Sequence, residues 1–162
     1  MADFFMVSDA GSLALHAVIM IAARSDRPVK IRDIASVFTF SEAHLAKVLS
    51  RLVRAGIVTA TRGPSGGYRL AKRADDITLH DIYRAVEGEM SQNRCMFRIS
   101  VCDGSGCPLG TFFNRLSREV EEKLKQTHLS DISYYRELLR KVEKYDWHEP
   151  GQRESVSGNR KV

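Results

Sequence analysis

Cysteine and proline are scarce in this chain of 162 residues, with three and four copies. Three thiols cannot all pair with one another, which argues against a disulfide-stapled secreted fold. The sequence also lacks any run of 18 consecutive apolar residues, so no membrane span is expected. The N-terminus lacks the basic region and the cleavage site of a signal peptide. These absences predict a cytoplasmic protein, away from membranes, whose thiols are free or bound to metal.

The residues that are present suit one globular domain with a basic face. Hydrophobic residues form 43% of the chain, enough to bury a core, and the formal net charge is +5. Residues 40–73 hold seven basic side chains and Glu42 as their only acid, for a net charge of +6, so the rest of the chain sums to −1. The seven are Lys47, Arg51, Arg54, Arg62, Arg69, Lys72 and Arg73. Such a basic segment in a nearly neutral chain indicates a polyanionic partner such as DNA.

Apolar residues at helical spacing predict three helices near the start of the chain, over residues 9–24, 28–38 and 41–56. A β-branched run, a turn of Gly, Pro and Ser, and a second short run then predict a β-hairpin over residues 57–71. Three helices followed by a hairpin are the outline of a winged helix-turn-helix. In that unit the third helix enters the major groove of DNA and the hairpin, or wing, approaches the backbone.

Three more helices are predicted beyond the hairpin, over residues 77–88, 108–126 and 129–147. The second of them carries an apolar stripe that is too large to be left in water. The stripe consists of Leu109, Phe112, Phe113, Leu116, Val120 and Leu124. The tail, residues 148–162, has several charges and no apolar pattern, and is predicted to be disordered.

The residues expected to contact DNA lie on the third helix and on the hairpin. Base edges are expected to meet side chains at the start of the helix, namely Ser41, Glu42, Ala43, His44 and Lys47. Phosphates are expected to meet four basic side chains, Arg51, Arg54, Arg62 and Lys72. The wing adds Ser65, Gly66 and Tyr68. The alternatives are a basic helix face that is merely solvated and an exposed His44 with no role.

All three cysteines, Cys95, Cys102 and Cys107, fall within thirteen positions around the sequence DGSG. Thiolates are soft ligands that suit zinc or an iron–sulfur cluster, and three ligands leave one coordination position open. The spacing lacks the close CxxC pair of a zinc ribbon. Ordinary buried cysteines are one alternative. A metal-free switch, in which a thiol oxidises to a disulfide or a sulfenic acid, is another.

The sequence LAKVLSRLVRAGIVTATRGPSGGYRLA, followed by ITLHDIYRAVEG, resembles the winged-helix iron–sulfur transcriptional regulators typified by IscR and NsrR. The likeness covers residues 8–135, and its most specific part is the wing, RGPSGGYRLA. It implies a mainly α fold with a small β-hairpin wing, in which a winged helix-turn-helix DNA-binding domain precedes a long dimerisation helix. It also implies a homodimeric transcription factor, in most members a repressor, that binds a double-stranded DNA operator.

The resemblance also divides the chain into parts. A DNA-binding domain is expected over residues 1–88, followed by a cysteine segment over 89–108 that is expected to be a loop. A dimerisation helix and a C-terminal helical region follow over 109–147, before the tail. Cluster-binding members of the family carry three cysteines in this segment, so the resemblance implies that the three cysteines here hold an iron–sulfur cluster, of the 2Fe–2S or the 4Fe–4S type.

The chain departs from the family pattern at the ligands. The gaps between its cysteines are six and four residues, where the commoner pattern has five in each. Gly110 stands where IscR-type members have a histidine ligand. NsrR-type members can take an acidic ligand from the partner's first helix, so the candidates for a fourth ligand are Ser8, Asp9, Ser12 and His16 of the partner subunit. For His16 the alternative is a helix residue packed against the core.

The combined prediction is a transcriptional regulator whose operator affinity depends on the cluster and which senses NO, redox state, iron or cluster supply. A metal-free thiol-redox switch on the same fold is the alternative. An enzyme is not expected, because no nucleophile–base pair and no HExxH motif stands out in the sequence. The glycines of RGPSGGY lie between two predicted strands, so they offer no helix N-terminus to a phosphate.

Overall fold

The structure is a computed structural model that describes residues 8–24, 27–38, 40–90 and 107–132. Its elements are, in chain order, α1 (Asp9–Ala23), α2 (Ile31–Phe38), α3 (Glu42–Arg54), β1 (Val58–Thr61), β2 (Gly67–Leu70), a 3₁₀ turn (Ala74–Asp76), α4 (Leu79–Glu87), α5 (Pro108–Gln126) and a second 3₁₀ turn (Leu129–Asp131). This order, with one two-stranded antiparallel sheet, confirms the predicted mainly α fold with a β-hairpin wing. None of the helices in these ranges is long and apolar enough to cross a membrane.

The core is built around α1. Leu13, Ala17, Met20 and Ile21, whose helical spacing predicts an inward face, are each at most 2% exposed. α1 contacts α3, α4 and β2, so these elements are arranged around it. The apolar stripe of α3 joins the same core through Leu45, Val48, Leu49 and Leu52. One side of α3 is therefore fixed in the core, and its opposite side faces solvent.

Both ends of α3 are set by local hydrogen bonds. The Ser41 hydroxyl accepts a hydrogen bond from the His44 N–H at 3.2 Å, as an N-cap does. At the other end Gly56 has φ +67°, a left-handed conformation that favours glycine. Its N–H and the next one along donate to the carbonyls of Val53 and Leu52, both at 3.0 Å, which is a Schellman motif. These ends fix the direction in which the chain leaves α3 and enters the wing.

The wing consists of β1, β2 and the loop between them. Val58 lies opposite Leu70, and Thr61 lies opposite Gly67. The loop requires glycine at two positions. A Cβ atom at Gly66 would collide with the carbonyl of Thr61, and Gly67 has φ +154°. The turn sequence GPSGG therefore closes the hairpin because its last two residues have no side chain.

A short backbone pairing holds the wing against the helical body. Val29 and Tyr68 exchange two hydrogen bonds, each 2.9 Å long. Val29 is therefore paired in the manner of a strand, and α2 begins only at Ile31. The predicted start of this helix at residue 28 is wrong. The two paired residues lie far apart in the sequence, so no local pattern signals the contact.

The C-terminal end of α5 is attached by backbone hydrogen bonds to the start of α4. The Leu79 N–H donates to the Thr127 carbonyl at 2.9 Å, and the Leu129 N–H donates to the Ile77 carbonyl at 2.8 Å. α5 itself has the bounds that its apolar stripe predicts. The region expected to be helical from residue 129 opens with a 3₁₀ turn. The rest of that region and the tail lie outside the described residues.

Candidate DNA interface and cysteine site

The start of α3 presents short and polar side chains to solvent. Glu42, Ala43 and Lys47 are exposed. His44 is half-buried, and its ring lies edge-to-face against Phe40 with 6.3 Å between the ring centroids. This is the surface from which the second helix of a helix-turn-helix reads base edges. Phe40 contacts the His44 ring at the edge of that surface.

The basic side chains of this face differ in whether they already have a partner. On this face, four exposed basic side chains make no hydrogen bond or ion pair within the described ranges: Lys47, Arg54, Arg62 and Lys72. They occur on α3, in the wing loop and directly after β2. Exposed cations without an internal partner can exchange their counterions for phosphate groups at little cost.

Two other basic side chains are already bound. Nη1 of Arg51 donates to the Val86 carbonyl at 2.8 Å, so this predicted phosphate contact is joined to the last turn of α4. Nη2 of Arg73 donates to Oδ2 of Asp75 at 2.9 Å. This hydrogen bond lowers the pKa of the Asp75 carboxyl, and a second hydrogen bond, from Ser130, lowers it further. Basic residues of one segment therefore have different surroundings, which a charge count does not reveal.

The three wing residues predicted to meet DNA are placed differently. Ser65 is exposed at the tip. Gly66 is buried, and its N–H donates to the Gly63 carbonyl at 3.0 Å. Tyr68 is half-buried, and both of its backbone polar groups are taken by Val29. Gly66 and Tyr68 thus shape the wing, and Ser65 is the one of the three with an exposed side chain.

A groove that was not predicted from the sequence lies between the wing loop and the start of α2. Lys30, Arg32 and Glu42 line it together with the loop. Lys30 is half-buried and Arg32 is exposed, with 3.8 Å between its Nε and Oδ1 of Asp33. Both basic residues fall outside the basic segment that charge counting defined. The sequence feature that could have indicated this groove is the pair of basic residues near the start of α2.

Cys107 is the one predicted ligand of the cysteine segment that the described residues include. It is the N-cap of α5 and is half-buried, and its Sγ accepts a hydrogen bond from the Gly110 N–H at 3.4 Å. Cys95 and Cys102 lie outside the described residues. Among the residues that are described, no three histidine, cysteine or acidic side chains come together as a metal site.

The four candidates for a fourth ligand all lie in the N-terminal half of α1. Ser8 caps the helix, and its hydroxyl donates to the carboxylate of Glu87 in the last turn of α4. Asp9 is exposed in the first turn. Nδ1 of His16 lies 2.7 Å from the carbonyl oxygen of Ser12, and the His16 ring is half-buried. Ser8 therefore reaches the end of α4, from which the chain continues into the cysteine segment.

The apolar stripe of α5 is only partly covered by the described part of the chain. Leu109 and Phe112 are each 59% exposed. Phe113, stacked edge-to-face on Phe112 at 5.2 Å, and the remaining stripe residues are half-buried. An apolar face of this size next to Cys107 is the kind of surface that another protein chain covers.

Comparison with known proteins identifies the family. The sequence model of the Rrf2 family, described as an iron-dependent transcriptional regulator, matches residues 7–134. The chain belongs to the Rrf2 family. The matched range begins one residue before the N-cap of α1 and ends beyond the 3₁₀ turn after α5, so the Rrf2 pattern includes the winged helix, the cysteine segment and α5.

Individual relatives of this Rrf2 protein are also regulators. The transcriptional regulator IscR of Pectobacterium atrosepticum is 31% identical over 137 residues, which cover 84% of each chain. The structure of CymR, the global cysteine regulator of B. subtilis, has a TM-score of 0.68 and 31% identity, and the match covers 81% of this chain and 98% of CymR. IscR of T. potens has a TM-score of 0.62 and 28% identity, over 86% and 90% of the two chains.

These findings confirm the resemblance to IscR-type winged-helix regulators. They also confirm the prediction of a DNA-binding transcriptional regulator rather than an enzyme, because the Rrf2 family and these relatives are regulators of transcription. The exposed basic side chains of α3 and the wing that have no internal partner among the described residues are consistent with that function. The similar structures include an IscR and a cysteine regulator.

Proposed function

We propose that this Rrf2-family protein is a homodimeric repressor of the cytoplasm whose operator affinity is controlled by an iron–sulfur cluster bound to Cys95, Cys102 and Cys107. The observation that carries the proposal is the position of Cys107. Its sulfur caps the first turn of α5, and the apolar face of α5 begins two residues later at Leu109. The ligand state of this sulfur therefore acts on the start of the helix that is proposed to form the dimer.

Operator binding is proposed to use α3 and the wing together. Lys47 reaches base edges from the exposed side of α3, and Arg54 contacts phosphate about two turns further along the helix. Arg62 and Lys72 contact phosphates from the two sides of the wing. The support is that all four side chains are exposed and that none has an ion-pair partner among the described residues. Their contacts would be salt-dependent and largely independent of sequence, except at Lys47.

The dimer is proposed to form through α5. Burying an apolar side chain as large as leucine or phenylalanine stabilises a complex by roughly 1.5–3 kcal/mol. The exposed Leu109 and Phe112 would meet their counterparts across a two-fold axis. The two recognition helices then read half-sites separated by whole turns of DNA, roughly 34–36 Å or a multiple.

The donor chemistry of the cysteine segment fits an iron–sulfur cluster. Thiolates are soft ligands, and the segment has three of them. Cys107 already accepts an N–H···S hydrogen bond from Gly110, and hydrogen bonds of this type tune the reduction potential of iron–sulfur clusters. When bound, the cluster, of the 2Fe–2S or 4Fe–4S type, supplies a redox-active centre. The chain's own part is to hold the start of α5 through Cys107 and to leave one coordination position for a ligand from elsewhere.

That fourth ligand is proposed to come from the partner subunit. The candidates are Ser8, Asp9, Ser12 and His16 of the partner subunit. Within one chain Ser8 and His16 already make hydrogen bonds, whereas Asp9 is an exposed carboxylate in the first turn of α1. A weakly held fourth ligand would leave the site open to NO or oxygen, and changes in iron or cluster supply would be sensed by loss of the whole group.

A metal-free thiol switch is the second candidate function. The similarity to CymR, a cysteine regulator, favours it. In this version Cys107 and either of the other two cysteines form a disulfide, two thiols losing two electrons and two protons to an oxidant such as a peroxide, which is reduced. The start of α5 would respond to the same sulfur, without iron.

The test is purification under strict exclusion of oxygen, followed by counts of iron and acid-labile sulfide and by the visible absorption spectrum. The proposal expects iron and sulfide in equal amounts and a broad absorption that disappears when Cys95, Cys102 and Cys107 are all replaced by alanine. The matched control is Thr59→Ala, an exposed residue of β1 that is not among the candidate ligands, and it keeps every thiol. Protein without iron and sulfide, even after reconstitution with both, together with a disulfide that forms reversibly, would favour the thiol switch instead.

A further inference from the structure

Two arginines of the recognition helix have contrasting surroundings. Arg51 and Arg54 both belong to the last turn of α3, and both are exposed. Nη1 of Arg51 donates to the carbonyl of Val86 on α4, at 2.8 Å and in a partly buried position. Arg54 makes no hydrogen bond or ion pair with any residue in the described ranges. The two residues therefore form a natural pair of test case and control.

Val86 lies at a place where a helix needs an outside donor. The last four carbonyl groups of any helix lack an intrahelical partner. α4 ends at Glu87. The N–H of Gly88 donates to the Arg84 carbonyl at 3.0 Å, and the φ of Gly88, +85°, turns the chain away from the helix. The Arg51 guanidinium supplies the donor for Val86, and its positive charge suits the negative end of the α4 dipole.

The same turn of α4 is held from a second side. The hydroxyl of Ser8, the N-cap of α1, donates to the carboxylate of Glu87. The end of α4 is thus joined to α3 through one side chain and to α1 through another. The cysteine segment continues directly from this turn along the chain. A displacement of the segment's first residues would therefore be transmitted through the end of α4 to Arg51.

We infer that Arg51 is a positioning residue that ties the recognition helix to the end of α4, and not a phosphate contact like Arg54. The part of this inference that links Arg51 to sensing rests on the proposed function, because it makes Arg51 the connection between the cysteine segment and α3. The guanidinium cannot move to a phosphate without leaving the Val86 carbonyl unpaired in a partly buried site, which is unfavourable.

The experiment compares Arg51→Met with Arg54→Met in the full-length protein. Methionine keeps most of the aliphatic stem and removes the charge and the donors, so each variant loses one positive charge from the same turn. Hydrogen exchange is measured at the Gly88 amide without DNA. Binding to a short random-sequence duplex is measured over a series of salt concentrations. Affinity for an operator selected from random DNA is measured with and without the cluster.

Arg51→Met is expected to speed exchange at Gly88 by about fivefold, the factor that corresponds to one typical hydrogen bond. It is expected to leave the salt slope unchanged and to bring the operator affinities of the cluster-bound and cluster-free forms closer together. Arg54→Met is expected to leave exchange at Gly88 unchanged and to reduce the salt slope by about 0.9, the value for one phosphate contact on B-DNA. It lowers both operator affinities by the same factor.

Unchanged exchange at Gly88 in Arg51→Met, or a salt slope reduced as much as in Arg54→Met, overturns the inference. A wild-type protein with equal operator affinity in its two forms contradicts the proposed function instead. In that case the exchange rate and the salt slope still decide whether Arg51 serves α4 or a phosphate, since neither measurement depends on the cluster.

Discussion

His80 on α4 faces Glu121 on α5, with 3.6 Å between Nε2 and Oε1. His80 is only 7% exposed, and its Nε2 has no hydrogen-bond partner within the described residues. The Glu121 carboxylate also accepts a hydrogen bond from Nζ of Lys125 at 2.7 Å. This polar contact lies between the DNA-binding domain and α5, close to the backbone bridge that joins Leu79 to Thr127. The C-terminal part of α5 is therefore the attached end, and the opposite end, at Cys107, is the one on which the proposed cluster would act.

The first prediction concerns the pH dependence of this attachment. The hydrogen bond from Lys125, its charge and the nearby His80 lower the pKa of Glu121 in the folded protein. The stabilising contribution is therefore fully present above the ordinary glutamate pKa of about 4.3 and is lost as the pH falls through the lowered folded-state value. Urea unfolding followed over this acidic range should show a weaker pH dependence in Glu121→Gln than in the wild type.

The control for this measurement is Glu119→Gln. Glu119 also makes an i,i+4 ion pair, with Arg115, but both of these side chains are largely exposed. Its replacement should change the stability by no more than about 0.5 kcal/mol, as for most exposed pairs. Equal pH profiles for the wild type and Glu121→Gln would show that the contact between α4 and α5 does not depend on this carboxylate.

The second prediction concerns the dimer. Phe112→Glu should give monomers that bind a full operator poorly, because a charge would be placed in the proposed two-fold contact. Since Phe112 is 59% exposed in the single chain, the monomer itself should stay folded. Light scattering after gel filtration measures the mass, and circular dichroism reports the helix content.

Thr111→Glu is the control, since Thr111 is an exposed polar neighbour outside the apolar stripe. It should remain dimeric. A Phe112→Glu protein that is a stable dimer with normal operator binding would contradict the proposal that this face of α5 forms the dimer.

The third prediction concerns the wing. Arg62→Ala should weaken binding to all DNA sequences by a similar factor and reduce the slope of log K against log salt by about 0.9, since a phosphate contact carries no base information. Arg73→Ala removes the same charge, but Arg73 is held by Asp75, so its salt slope should stay close to that of the wild type. Identical salt slopes for Arg62→Ala and the wild type would mean that the wing loop does not touch the backbone.

Much of the fold could be predicted because its signals are local. Ser41 and Thr78 lie at the starts of the predicted helices 41–56 and 77–88, and both cap a helix, Thr78 in a capping box with Asp81. The apolar stripe gave the bounds of α5. In each case the side chain that forms the contact lies within a few residues of the backbone group that it satisfies. A single sequence therefore contains both partners of the interaction in recognisable order.

The features that could not be predicted depend on contacts between distant residues. Val29 pairs with Tyr68, which delays the start of α2. Arg51 and Arg54 are both arginines of the basic segment, so the sequence does not distinguish them. Their surroundings differ because Arg51 donates a hydrogen bond to the carbonyl of the distant residue Val86. His80 is buried because α5 returns against α4 and brings Glu121 to it. The ligand roles of Cys95, Cys102 and Cys107 stay predictions, and the first two lie outside the described residues.

The central claim is that the cluster bound to the cysteines sets operator affinity, and one comparison tests it most directly. The affinity of the cluster-bound wild type for an operator selected from random DNA is measured beside that of the protein with Cys95, Cys102 and Cys107 all replaced by alanine, at matched salt. The variant should remain a folded dimer, and its affinity should differ from that of the cluster-bound form by roughly 5–150-fold, the usual range of an allosteric coupling, with weaker binding expected. Equal affinities across several selected operators would contradict the sensor account and leave the cysteines with a structural role.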